Sequence, residues 1–239
     1  MNRKPSGKTS MESIAAVVAC KRILIVDDHP MTRRGLVELI NTEPDLSVCG
    51  EASNARDALE AAKSLNPDLA LVDITLPGQS GLILIRDLRL WVPSLHILVL
   101  SMHDEDLYAE RVLRAGGHGY IMKNEGGAEL LQAIRQVLGG ATYLSQKVSG
   151  KIVNAYVGRG KKMGDAAVGQ LSEREFEVFQ LMGQGLPTTE MGRRLHLSPK
   201  TVDTHRLHIK EKLRVKSVPE LVRYAVRWTT SEEILENVG

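Results

Sequence analysis

Five polar residues follow short apolar runs in the first half of the chain, at positions where strands of a sheet would end. Asp27 and Asp28 directly follow the first run, and Asp73, Ser101 and Lys123 follow later ones. Carboxylates that share a crevice repel one another unless a cation joins them, and a few hard oxygen ligands suit Mg²⁺. With a lysine and a hydroxyl nearby, such a set can stabilise a phosphoryl group carried on a carboxylate.

The residues after the first apolar run limit the possible donors of that phosphoryl group. Neither G-x-x-x-x-G-K-[ST] nor G-x-G-x-x-G occurs there, so a donor other than a bound nucleotide is expected. The sequence has no His/Cys cluster with zinc-ligand spacing. His29 and His103 border the acidic residues, and we expect both to be loop residues that face solvent.

The elements that must position these residues alternate regularly. Short runs rich in Val, Ile and Leu, separated by amphipathic helical stretches, are typical of a parallel sheet covered on both faces. The predicted strands are 22-26, 46-50, 69-72, 96-100 and 118-122, and the predicted helices are 31-41, 54-65, 80-90, 104-115 and 126-138. The pattern predicts a doubly wound, five-stranded α/β domain. In such sheets ligands bind outside the carboxyl ends of the strands, where the five polar residues lie.

Composition excludes several other classes of protein. The 239 residues are 43% hydrophobic and 25% charged, and no apolar run approaches the length that spans a bilayer. Two cysteines cannot form a disulfide framework. Residues 20-145 carry 12 basic and 17 acidic side chains, whereas residues 146-239 carry 16 and 11. This asymmetry indicates two modules, the second with a polyanionic partner, unless it is uneven surface charge without function.

The first module resembles the receiver domain of two-component response regulators. The matching residues, in order, are Ile25 to Pro30, Asp73, Leu76-Pro77-Gly78, Gly81, Ser101 and Gly119 to Lys123. Asn124 and Met102 depart from the commonest receiver pattern, but neither removes a reacting group.

The receiver resemblance implies a role for each pocket residue. Asp73 would accept phosphate from a sensor histidine kinase. Asp28 and Asp73 would bind Mg²⁺ directly together with the Thr75 carbonyl, whereas Asp27 would act largely through water. Ser101 and Lys123 would contact the phosphoryl oxygens. Tyr120 would change rotamer as the signal leaves the pocket; the less favoured alternative is that this strand aromatic is simply a core residue.

After residue 169 the sequence predicts helices only. Ser172 and Glu175 have the spacing of a capping box, and Ser198-Pro199 has the pattern of an N-cap followed by proline. A short helix near 188-195 and a longer one near 200-213 would form a helix-turn-helix. On the longer helix Val202, Ile209 and Leu213 share one face, which we expect to pack inward.

This second module resembles the LuxR-type helix-turn-helix. The matching residues are Leu171, Arg174-Glu175, Gly185, Glu190, Leu195, Ser198, Thr201-Val202, His205, Lys212-Leu213 and Glu220-Leu221-Val222. Together the two resemblances, over about residues 21-228, imply a response regulator of the NarL/FixJ type. The candidate DNA contacts are Lys200, Thr201, Asp203, Thr204, Arg206, Leu207 and Lys210. Asp203 stands where many relatives have lysine, and a basic helix can also be a solvated surface.

The predicted organisation has four segments. Residues 1-20 form a flexible extension, 21-140 the receiver domain, 141-168 a linker with a short helix at 147-156, and 169-239 the DNA-binding domain. The linker contains the glycine-rich, basic stretch 158-164. The last helix, 218-228, is a candidate dimer contact or ordinary core.

The sequence thus predicts a cytoplasmic, phosphorylation-switched transcription regulator rather than an enzyme or a membrane protein. Its expected partners are a histidine kinase, promoter DNA, RNA polymerase and a second copy of the chain when phosphorylated. The alternative is a signalling module that acts mainly through protein–protein interaction and binds DNA weakly or without regard to phosphorylation.

Overall fold

A five-stranded parallel sheet forms the centre of the first domain. The computed structural model describes residues 20–156 and 167–236. The strands are β1 (Lys21–Val26), β2 (Leu46–Ala52), β3 (Leu69–Val72), β4 (His96–Ser101) and β5 (Gly119–Met122). Their spatial order is β2-β1-β3-β4-β5, and every adjacent pair is parallel. The predicted doubly wound α/β fold is confirmed.

Five helices cover the two faces of this sheet. They are α1 (Pro30–Asn41), α2 (Ala55–Leu65), α3 (Gly81–Trp91), α4 (Glu105–Ala115) and α5 (Gly127–Leu138). Alternate residues of the strands point to opposite faces, so Leu24 and Val26 pack on the side of α2 to α4, whereas Ile23 and Ile25 pack on the side of α1 and α5. Both faces are therefore apolar, which is why the strands are continuous apolar runs rather than alternating ones.

The second half of the described chain is helical. Its helices are α6 (Gln146–Tyr156), α7 (Glu173–Gly183), α8 (Thr188–Arg194), α9 (Pro199–Lys212) and α10 (Val218–Glu236). Ser172 and Glu175 form the predicted capping box at the start of α7, and the Ser198 side chain accepts from the Thr201 amide at the start of α9. The last helix is longer than predicted, because it continues past Trp228 to Glu236.

The two halves share one apolar core. Val168, Leu171, Phe176 and the residues around them join the cluster under α2 to α4 without a break. Residues 173–182 of α7 are all buried, including the charged ones, because this helix lies between the sheet domain and the remaining helices. The contact between the halves is therefore a packed interface, here called the docked interface and defined by α7 against α3 and α4.

Two predicted segments lie wholly or largely outside the described residues. These are the amino-terminal extension and the glycine-rich part of the linker, 158–164. Within the described ranges, no helix is long and apolar enough to cross a membrane.

A histidine at the amino-terminal edge of the sheet gives a prediction about stability. The Ile97 N–H donates to Nδ1 of His118 over 3.0 Å, and partial burial lowers the pKa of His118, with Arg89 and His96 adding to the effect. Because the folded-state pKa lies below the unfolded value, the unfolded chain takes up the proton first. The contribution of neutral His118 to the free energy of unfolding is therefore complete above about pH 6.5 and is lost as the pH falls below that value.

We expect the variant His118→Asn to remove this pH dependence. Asparagine Oδ1 can accept from the same N–H but does not titrate. Urea unfolding at about pH 7.5 and about pH 5.5, on either side of the ordinary histidine pKa, measures the effect, and the free energy of unfolding should fall more in the unchanged protein than in the variant. Equal falls in both proteins would contradict a role for His118, because all other histidines are common to the pair.

Candidate functional site

The pocket forms where β1, β3, β4 and β5 end. Val26 pairs with Val72 in register, so Asp27 and Asp73 leave adjacent strands at the same level. Backbone hydrogen bonds extend the ladder beyond the strands, from the Asp73 N–H to the Val26 carbonyl (2.8 Å) and from the Lys123 N–H to the Ser101 carbonyl (2.7 Å). The sheet thus sets the spacing of all four pocket side chains.

Lys123 joins the two buried carboxylates. Its Nζ lies 2.6 Å from Asp27 Oδ2 and 2.6 Å from Asp73 Oδ2. Asp27 and Asp73 are only 2% and 4% exposed. The Thr75 N–H donates to Asp73 Oδ1 over 3.2 Å. Asp73 is therefore held by one charged and one neutral donor, with its oxygens at the carboxyl edge of the sheet.

The backbone around Asp73 needs a glycine nearby. A Cβ on Gly81 would lie 2.3 Å from the Asp73 carbonyl oxygen and 2.7 Å from Ile74 Cα, both of which are backbone atoms. The Gly81 N–H also donates to the Ile74 carbonyl over 2.7 Å. Glycine at this position lets the start of α3 close against the end of β3.

The charged groups in the pocket shift each other's pKa values. Burial raises the pKa of Asp73 to about 6, and the like charge of Asp27 adds to the rise, while Lys123 opposes it. Burial disfavours the Lys123 ammonium, but Asp73 and Asp27 outweigh that effect and raise its pKa above the ordinary value. A second cation in this pocket would favour the ionised carboxylate of Asp73.

The acidic residues fit a divalent cation. One ligand atom from each of Asp27, Asp28, His29 and Asp73 lies within 4.8 Å of the others. His29 Nδ1 is 2.7 Å from Asp28 Oδ1, yet among the described residues this buried oxygen has no well-aligned hydrogen bond. Hard carboxylate oxygens with spare lone pairs are the donors that Mg²⁺ prefers.

His103 differs from the sequence-based expectation. His29 is exposed as predicted, but His103 is partly enclosed, and burial lowers its pKa to about 4. Its ring nitrogen Nε2 lies 2.9 Å from Thr75 Oγ1, and its backbone N–H donates to Ser101 Oγ over 3.2 Å. The fully buried Tyr120 donates its hydroxyl to the His103 carbonyl over 2.7 Å. The sequence does not reveal this enclosure, because nothing local distinguishes His103 from an exposed loop histidine.

Ion pairs and an aromatic contact hold the docked interface. Glu173 of α7 lies 2.8 Å from the Arg86 guanidinium and 3.0 Å from that of Arg111. Arg111 also lies over the Phe176 ring, 3.8 Å from its centroid. The Ser80 hydroxyl, next to α3, donates to Glu177 over 2.8 Å. Two glutamates of α7, Glu173 and Glu177, therefore contact the receiver together with the aromatic Phe176.

The turn between α8 and α9 lies near the acidic pocket. His196 adopts a left-handed backbone (φ 53°), and its Nε2 is 3.5 Å from Asp28 Oδ2. A Cβ on Gly192 would lie 2.7 Å from the Leu197 carbonyl oxygen, so glycine is needed for this tight turn. The helix-turn-helix is thus docked with its turn towards the receiver pocket.

Helix α9 presents most of its candidate DNA contacts to the surface. Val202 and Ile209 are fully buried, as predicted for the inward face, whereas Leu213 is only partly buried. Arg206 is held by Thr188 (2.8 Å) and Asp203 (3.0 Å). The candidate contacts that are exposed are Lys200, Asp203, Thr204 and Leu207, and those that are partly buried are Thr201, Arg206 and Lys210.

Comparison with protein-family models matches both halves of the chain. Residues 23–135 match the response regulator receiver domain, and residues 169–225 match the model described as bacterial regulatory proteins, luxR family. The oxygen regulatory protein NreC of Staphylococcus haemolyticus (strain JCSC1435) is 36% identical over 211 residues, covering 86% of this chain and 97% of the relative. NreC of Staphylococcus carnosus (strain TM300) is 36% identical over 210 residues, with the same coverage.

Solved structures agree with these matches. A LuxR-family two-component response regulator from Aurantimonas sp. SI85-9A1 is 35% identical, with a TM-score of 0.54, over 58% of this chain and 99% of that one. RcsB from Salmonella enterica serovar Typhimurium, bound to promoter rprA in the presence of the phosphomimetic BeF3-, is 25% identical. It has a TM-score of 0.58, and the match covers 87% of this chain and 98% of RcsB.

The docked interface gives a second prediction. The variant Glu173→Gln removes the charge that pairs with Arg86 and Arg111. We therefore expect the free energy that favours the docked over the undocked state to fall by about 1.5–3 kcal/mol, the value typical of a hydrogen bond to a charged group. Amide hydrogen exchange in α7 should become faster. Small-angle X-ray scattering should give a larger radius of gyration.

The control is Glu190→Gln, since Glu190 pairs with Arg193 and Arg194 within α8 and has no part in the docked interface as defined above. This variant should leave α7 exchange unchanged. If Glu173→Gln and the control behaved alike, the ion pairs would have no part in docking.

Proposed function

Because this chain belongs to the response regulators that join a receiver domain to a LuxR-type DNA-binding domain, we propose that phosphate on Asp73 controls release of its helix-turn-helix. The family consists of transcription regulators and not of enzymes, and phosphorylation-dependent control of transcription is its function. The observation that carries the residue-level proposal is the pair of buried salt bridges that Lys123 makes with Asp27 and Asp73 at the carboxyl edge of the sheet.

Asp73 is the nucleophile in the proposed transfer. A carboxylate oxygen attacks the phosphorus of a phosphohistidine on a sensor kinase, the bond from phosphorus to the ring nitrogen breaks, and the imidazole takes up a proton. Lys123 then pairs with a phosphoryl oxygen, and the Ser101 hydroxyl turns to donate to another. Mg²⁺, held by Asp28, Asp73 and the Thr75 carbonyl, with Asp27 acting through water, would neutralise charge on the phosphoryl group.

Phosphorylation would then weaken the docked interface. The movement of Ser101 breaks its contact with the His103 N–H, and a rotamer change of Tyr120 breaks the bond to the His103 carbonyl. Both changes alter the loop that precedes α4, which carries Arg111. Release of α7 frees the turn beside His196, so that α9 can enter a major groove.

DNA binding is proposed to use the exposed face of α9. Lys200 would contact phosphate, as would Arg206 and Lys210 from its flanks, while Thr201, Asp203, Thr204 and Leu207 lie early enough to approach base edges. Asp203 already pairs with Arg206, which reduces its repulsion of phosphate. A homodimer on two half-sites, RNA polymerase as a further partner and a cytoplasmic location complete the proposal.

The test is selection of bound fragments from genomic DNA by the full chain, with and without Mg²⁺ and beryllofluoride. We expect enrichment of a sequence with two half-sites only with beryllofluoride, and none with Asp73→Asn, which cannot bind the phosphoryl mimic productively. Equal enrichment under all conditions would remove phosphate control. No enrichment under any condition would favour the protein-interaction module instead.

A separate prediction concerns the electrostatics of α9. Lys200→Ala should make the slope of log K against log salt shallower by about 0.9, because one phosphate contact and its counterion release are lost. Thr204→Ala should leave the salt slope unchanged and reduce discrimination between operator and random DNA. Lys63→Ala, which removes a lysine from α2 of the receiver, is the control and should change neither quantity. A control effect as large as that of Lys200→Ala would contradict a specific contact.

A further inference from the structure

His103 is bonded to each of the groups that the proposed phosphorylation would move. It lies in the loop between β4 and α4, outside the set of five pocket residues. Its backbone N–H donates to Ser101, its carbonyl accepts from Tyr120, and its ring bonds to Thr75. Movement of Ser101 and Tyr120 would therefore remove both backbone restraints on this one residue.

The His103 ring is the first member of a continuous series of aromatic contacts. The ring stacks on Tyr108 of α4, with centroids 4.9 Å apart and planes at 29°. Tyr108 meets Phe176 of α7 edge-on at 5.4 Å, and Phe176 meets Trp228 of α10 at 5.7 Å. Tyr108 and Phe176 are 0% and 1% exposed, so this path is closely packed as it crosses the docked interface.

Packing, rather than a polar contact, carries the path through Tyr108. No hydrogen bond reaches the Tyr108 hydroxyl from any described residue, although it is buried. The ring is therefore the part of Tyr108 that connects His103 to Phe176. Because packed interiors are bistable rather than continuously deformable, a small displacement of one ring favours a discrete change in its neighbour.

We propose that His103 is the positioning residue that couples phosphorylation of Asp73 to release of α7, through the rings of Tyr108 and Phe176. This inference rests on the proposed function, since it needs phosphate to act on Ser101 and Tyr120. His103 does not touch the transferred group in this scheme. The hydrogen bond to Thr75 holds the His103 ring against the pocket. The stacked face of the ring transmits the displacement of His103 to Tyr108.

The experiment measures amide hydrogen exchange in α7 of the full chain, with and without Mg²⁺ and beryllofluoride, together with beryllofluoride affinity. In the unchanged protein, exchange in α7 should rise when beryllofluoride binds. His103→Phe keeps a ring against Tyr108 and both backbone hydrogen bonds and loses only the bond to Thr75, so exchange in α7 should still rise with beryllofluoride, but by less than in the unchanged protein. His103→Leu loses both ring contacts, so α7 should exchange fast in both states.

Beryllofluoride affinity separates a coupling role from a merely structural one. Coupling between two sites is reciprocal, and its loss typically changes affinity by about 5- to 150-fold. His103→Leu should bind beryllofluoride more tightly than the unchanged protein, because binding no longer has to disrupt docking. A purely structural defect would weaken binding. His96→Gln, at the opposite edge of the sheet, is the control for loss of a partly buried histidine.

A second pair of variants keeps the inference falsifiable if substitutions at His103 prevent folding. Tyr108→Phe retains the ring and should preserve the response of α7, whereas Tyr108→Leu should abolish it. A normal response in His103→Leu or in Tyr108→Leu would overturn the inference while leaving phosphate control intact. No response in the unchanged protein would overturn the proposed function itself.

Discussion

The structure depends on one buried charge balance, in which the Lys123 ammonium holds the carboxylates of Asp27 and Asp73. Two carboxylates at the same edge of a sheet would each cost several kcal/mol to bury alone. One lysine offsets part of that cost, and the raised pKa of Asp73 shows that the offset is incomplete. The pocket is therefore poised to accept a further cation or to lose a negative charge, and the strand order that places β1, β3 and β5 near one another is what makes this balance possible.

The docked interface contains buried charged residues, whose desolvation limits its net stability. Glu177 of α7 is buried among polar partners, and burial raises its pKa although Arg174 and Ser80 oppose the rise. Buried ion pairs contribute little net stability because desolvation consumes most of the Coulombic attraction. An interface that combines such pairs with the apolar packing of Val168, Leu171 and Phe176 takes its geometric specificity from the charged contacts. In the proposed function, a modest change at the pocket would then shift the balance between the docked and an open state.

Much of the fold could be predicted from the sequence, because its signals are local. Apolar runs indicated the five strands, and the intervening helices indicated that the strands are parallel. Ser172 and Ser198 correctly marked the starts of two helices. The positions of the pocket residues followed from the common carboxyl edge. The enclosure of His103 could not be predicted, since it depends on packing against Tyr108 and on the hydrogen bond to Thr75, a residue distant in sequence. Nothing local in the sequence indicates that Glu173 and Glu177 are buried, because Arg86, Arg111 and Ser80, which contact them, belong to the other domain.

The charged residues at the contact between the domains are opposite in sign to the net charges of the domains that carry them. The receiver half is net acidic and the helical half net basic, yet the receiver contributes Arg86 and Arg111, and α7 contributes Glu173. The basic domain thus uses an acidic residue for docking, and Lys200 of α9 stays exposed in the docked state. Docking therefore leaves Lys200 unpaired with the receiver. In the proposed function docking would act by position instead, because it holds the turn at His196 beside Asp28 of the receiver pocket.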